Sequence, residues 1–147
     1  MKIHSLRLQL TEADLAPLLA EIAQRAEEIE QLTLKLRPEG LVLSGQYPTP
    51  FGLKVSFETL WHLEPQGPVI LARVASLHLS GLNASLFRGL LLGLIAEMVA
   101  DEPGLTLQDE VLHIDTIVLA KLEGIDLQVN WREILPGEGC WILVAHD

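Results

Sequence analysis

The sequence predicts an α+β fold: a long curled antiparallel sheet packed on two helices, at about residues 14–30 and 84–100. Three observations carry this. Apolar and polar residues alternate in several runs, as they do along half-buried strands. Two other stretches carry apolar residues at helical spacing instead. Short turns rich in Pro and Gly join consecutive strands, which makes neighbours antiparallel, so the helices must cover one face of the sheet.

The chain opens with alternation over residues 2–10, where Leu6, Leu8 and Leu10 share one face of a strand. Thr11-Glu12-Ala13-Asp14 then begins the first helix. Pro17 fits best with Asp14 as the effective N-cap, because proline is tolerated in a first helical turn. Leu15, Leu18, Leu19, Ile22, Ala26 and Ile29 form its apolar side, and the acidic residues at 27–30 read as a solvated face. Four strands follow: Gln31–Arg37, Leu41–Tyr47, Phe51–Leu63 and Val69–Ser80. Pro38-Glu39-Gly40, Pro48-Thr49-Pro50 and Pro65-Gln66-Gly67-Pro68 separate them. The third strand, if unbroken, would extend about 43 Å, a length usual in strongly twisted or curled sheets. Both faces of Val69–Ser80 are fairly apolar, which places this strand centrally.

Ala84–Ala100 is the most apolar stretch of the chain and reads as a buried helix capped by Asn83 and ended before Pro103-Gly104. Leu86, Phe87, Leu90, Leu91, Leu94, Ile95 and Met98 share a wide apolar face. Ser85, Gly89, Gly93, Ala96 and Ala100 form a small-residue stripe that would let a second element approach closely. A membrane span is the rival reading, but at about 17 residues the run is at the short end of what crosses a bilayer, and Arg88 and Glu97 inside it add insertion cost. Beyond it, Leu105–Gln108 leads to a short strand, Val111–Asp115. Thr116–Leu122 fits either a short helix or extended chain. Gly124–Glu133 alternates again, and Cys140–Ala145 is the last strand.

The length of 147 residues fits one domain, residues 1–147. Apolar residues make up 49 % and charged residues 20 %, which excludes disorder. A net charge of −10, with scattered Lys and Arg, argues against nucleic acid and against docking on an anionic bilayer. Cys140 is the only cysteine, so no intrachain disulfide forms. The start of the chain shows strand alternation in place of a signal peptide, which makes a cytoplasmic location the expectation.

Thr11-Glu12-Ala13-Asp14-Leu15 opening a helix after a strand, the long hairpin Phe51–Ser80, and the ending Val111–Asp115 followed by the hairpin 124–145 together resemble the small bacterial members of the tubular lipid-binding (TULIP) superfamily. That resemblance implies a curled sheet wrapped around a helix, leaving an apolar groove for a lipid.

The sequence shows no catalytic set, metal site or cofactor motif, and the expectation is a protein that is not an enzyme. His113 and Asp115 share a strand face, half of a triad without a nucleophile. The five histidines have no zinc spacing, and Cys140 has no activating neighbour in sequence. Two arginines stand out. Arg73 is in phase with Val69, Leu71, Leu77 and Leu79, and Arg88 lies within the most apolar helix. Each either pairs with an internal carboxylate such as Glu97 or Glu58, escapes at the sheet edge, or binds the anionic head of an amphipathic ligand. Trp61, Trp131 and Trp141 read as core residues. The expected ligand-binding set is Arg73, Arg88, Phe57, Trp61, Leu90 and Leu94, around a lipid or other apolar molecule. The alternative is a protein-interaction or homodimer module that packs the Gly89/Gly93 stripe, or an apolar sheet face, on a partner.

Overall fold

A computed structural model describes residues 4–48, 52–80 and 84–146, without the side chains of 84–87. Asn83, the turn residues Thr49 and Pro50, the strand start at Phe51 and the side chains of Leu86 and Phe87 therefore lie outside the described residues. The elements are β1 (Ser5–Thr11), α1 (Glu12–Arg25), β2 (Glu30–Arg37), β3 (Gly40–Pro48), β4 (Lys54–Gln66), β5 (Val69–Leu79), α2 (Ala84–Val99), β6 (Leu105–Gln108), β7 (Val111–Asp115), α3 (Thr116–Leu122), β8 (Trp131–Leu135) and β9 (Cys140–His146).

The α+β class holds, with every strand pair antiparallel, but the single curled sheet does not. The strands sort into a six-stranded sheet, β2-β3-β4-β5-β7-β6, and a three-stranded sheet, β1-β9-β8, and neither is strongly curled. One reason lies at the β2 edge. The Leu36 amide donates to Glu12 Oε2 (3.1 Å), and the Leu36 carbonyl accepts from the Gly139 amide (2.7 Å). Both outward backbone groups of Leu36 are thus satisfied where a further strand would have to pair. β9 instead pairs with β1 along seven residues, from Ser5↔His146 to Thr11↔Cys140.

Directly paired residues share a face of a sheet, so register sorts the side chains. In the large sheet Leu34, Leu43, Thr59 and Leu77 fall on one face, together with Trp61, Val74, Leu63, Ala72 and Leu112. The opposite face carries Lys35, Glu58, His62, Glu64, Arg73, His78 and His113. The apolar face is covered twice. Leu19 of α1 and Leu91 and Ile95 of α2 pack over Leu43, Phe57, Trp61 and Val74. The small sheet places Trp131, Leu143 and Ala145 against Ile70, and Leu63 touches both clusters. Each indole N–H has an acceptor: Trp61 on Thr59 Oγ1 (3.0 Å), Trp131 on Thr116 Oγ1 (2.9 Å), Trp141 on the Arg37 carbonyl (3.1 Å).

Several local expectations change. Pairing steps from Leu60↔Ser76 to Trp61↔Val74, leaving Ala75 unmatched. This bulge reverses the phase of β5, so Leu77 and Leu79 point to the core while Arg73 joins Val69 and Leu71 on the opposite face. The apparent apolarity of both faces of this strand follows in part from that reversal. The first helix is capped by Thr11, not Asp14. The Thr11 hydroxyl accepts from the Asp14 amide (3.3 Å), and Asp14 Oδ2 accepts from the Thr11 amide (2.9 Å), a reciprocal capping box. Pro17 therefore lies inside the helix, which ends at Arg25 rather than near residue 30. Thr116–Leu122 is helical. Of the alternating run 124–133 only the part from Trp131 becomes strand, and Leu53 lies outside β4, exposed.

The second helix has the expected span but is not buried all round. Leu91 and Leu92 are buried, while Gly89, Leu90, Gly93, Ala96, Glu97 and Ala100 are exposed. One sheet face can cover only one side of a helix, and no described element packs over the other.

Candidate functional site

The early end of α1 creates a concavity. Ala26 takes φ −104° and ψ 63°, which stops the helix, and the Ile29 amide returns to the Ala26 carbonyl (2.9 Å). This tight turn buries Ala26, tucks Ile29 against the Phe57 cluster, and leaves Glu27 and Glu28 standing at the surface. The turn, Tyr47 of β3 and the open side of α2 enclose a cleft of about 520 Å³. Its apolar wall is Ala26, Ile29, Leu90, Leu91 and Leu94, with Gly89 and Gly93 between them. Leu90 is 51 % exposed, a large apolar side chain left open to solvent.

The charged groups of the cleft are Arg25, Glu27, Glu28 and Glu97. Arg25 is engaged on three sides: Nη1 donates to the Met98 carbonyl (2.9 Å), and Nη2 donates to Glu21 (3.2 Å) and Glu102 (2.7 Å). It ties the end of α1 to the end of α2. The Tyr47 hydroxyl donates to Glu28 Oε2 at 3.1 Å. That hydrogen bond first, then partial burial and the nearby Glu28 charge, push the phenol pKa above its ordinary value.

The structure does not bring the six expected ligand residues together. Leu90 and Leu94 line the cleft. Phe57 and Trp61 are buried in the core cluster beneath it. Arg73 is on the opposite face of the sheet, paired with Glu64 (3.3 Å). Arg88 pairs with Glu110 (3.0 Å), in the tight turn between β6 and β7, and not with Glu97 or Glu58. Both pairs are substantially exposed and contribute little to stability. Sequence reasoning missed Arg25, Glu28 and Tyr47. The acidic run is a visible signal, but helical spacing puts it on a helix face, whereas the chain turns there.

Smaller hollows lie elsewhere among the described residues. One of about 340 Å³ lies where the sheets meet, near His62, Glu64, Pro136 and Trp141. One of about 190 Å³ lies on the polar sheet face, between Arg37, Glu58 and His78. Asp115 does not orient His113: its Oδ1 accepts from the Ile117 (3.1 Å) and Val118 (3.3 Å) amides as the cap of α3. Among the described residues no three His, Cys, Asp or Glu are placed to hold a metal ion, and no helix is long and apolar enough to cross a membrane.

Comparison of the sequence with protein-family models and with curated proteins finds no match.

Proposed function

We propose that this chain is a non-enzymatic module that holds a lipid or another apolar molecule in the cleft between α2 and the α1–β2 turn. The observation that carries this reading is the half-exposed Leu90 beside Leu94 in an open, largely apolar concavity that reaches down to buried Leu91. The volume of about 520 Å³ lies within the range of small-molecule sites. The resemblance to tubular lipid-binding proteins points the same way, although a wrapped helix is replaced here by one open on its outer side. Arg73 has no part in this version of the site, and Arg88 is held outside the cleft lining.

The test is native mass spectrometry of the purified protein, followed by solvent extraction. A stoichiometric apolar species is expected, and it should be lost from Leu90→Asp. Because Leu90 is half exposed, that substitution should cost only about 1–2 kcal/mol in lost burial and helix propensity, too little to unfold the chain. Retention of the species by a folded Leu90→Asp protein would remove the cleft from the proposal.

A second reading has its own observation. Apart from its chain neighbours and the helix's own backbone, nothing among the described residues lies within 4 Å of where a Cβ at Gly89 or Gly93 would stand, so the α2 stripe is open to a protein partner. Gly89→Leu should then shift the mass in light scattering; an unchanged mass would count against this second reading.

A further inference from the structure

We infer that the molecule taken by this cleft is a single-chain amphiphile with a cationic amine head, not an anionic lipid. The inference rests on reading the cleft as an apolar-ligand site and adds the chemistry of the ligand's polar end. Three carboxylates, Glu27, Glu28 and Glu97, line the cleft against one cation, Arg25. That guanidinium already faces Glu21 and Glu102 and donates to the Met98 carbonyl, so an anionic head would have to displace two carboxylates to reach it. Among the described residues neither Glu27 nor Glu97 is in an ion pair, and Glu28 holds the Tyr47 hydroxyl. An alkyl chain over Leu90 and Leu94 therefore ends among negative groups, where an ammonium is attracted and a carboxylate or phosphate is repelled. The net charge of −10 adds to the same field. The charge pattern also disfavours a second copy seated face to face on this cleft, because the same three carboxylates would meet across it.

The experiment compares three ten-carbon probes below their micellar concentrations, by calorimetry in low salt: decyltrimethylammonium, decanol and decanoate. The cation should bind about 10-fold tighter than decanol, and decanoate more weakly than either. In Glu27→Gln/Glu97→Gln the advantage of the cation over decanol should fall to about two-fold, and added salt should shrink it in the parent protein. Equal binding of the three probes, or preference for decanoate, would overturn the cationic head while leaving the apolar site standing. A cation preference untouched by the double substitution would also overturn it, since Glu27 and Glu97 would then not be the groups that the head meets. Failure of all three probes to bind would overturn the apolar site and this inference together.

Discussion

Tyr47 is the only tyrosine in the chain, which makes its proton directly measurable. Its hydroxyl donates to Glu28, and its pKa is raised, first by that hydrogen bond. A phenol with a raised folded-state pKa holds its proton more tightly in the native protein. Its contribution to stability is fully present below the unfolded value of about 10 and is lost as pH rises through the higher folded value. Ultraviolet titration of the native protein should therefore show phenolate appearing later than in the unfolded chain. Glu28→Ala, which removes the acceptor, should move that midpoint down; an unmoved midpoint would mean that the hydrogen bond is not its cause. Thr59 shows the same dependence of a side chain on its partners, in the core. It is 0 % exposed, donates to the Leu43 carbonyl (2.9 Å) and accepts from Trp61 Nε1 (3.0 Å). A hydroxyl reads as out of place on the apolar face of a strand until the indole above it is known.

Elements are where the sequence was most legible, because hairpins write their register into local alternation. The strands from Glu30 to Leu79 lie close to where the alternation puts them. What alternation cannot show is a single extra residue. Ala75 shifts the phase of β5, and the reading of Arg73 as a charge on the apolar face failed on that one position. The bulge also makes a prediction. Removing Ala75 joins Val74 to Ser76 and leaves Val74, Leu77 and Leu79 in unbroken alternation with the same inward faces. The deletion should cost less than about 2 kcal/mol in urea unfolding, with an unchanged slope. Loss of folding would show that the bend itself is required. The other misreading at this scale was the end of α1. Helical spacing continues through Ala26 and Ile29, yet the chain turns at Ala26, so the same apolar residues serve a turn and a strand entrance. That turn is what makes the cleft, and for that reason the site was less legible than the fold: Arg25, Tyr47 and Leu90 meet only through packing of distant elements.

At the scale of the molecule, the partition into two sheets was the main departure from expectation. Local pattern names strands but not the sheet that each joins, and it is the pairing with β1 that puts β9 in the small sheet. The two sheets are nonetheless joined by a shared apolar contact. Leu63 packs on both clusters, and the Trp131 amide bonds the Gly67 carbonyl (2.8 Å) at the tip of the β4–β5 hairpin. Unfolding should therefore be a single transition, with tryptophan fluorescence and far-ultraviolet circular dichroism giving one midpoint; separate midpoints would show that the sheets melt independently. The open side of α2 has a different consequence. A glycine in the interior of a helix costs about 1 kcal/mol relative to alanine. Gly89 and Gly93 stand on that open side with room for a methyl group. The chain is thus below the robustness its own backbone would allow, on the helix surface that borders the cleft. A sequence kept for clearance there, rather than for endurance, would look like this one.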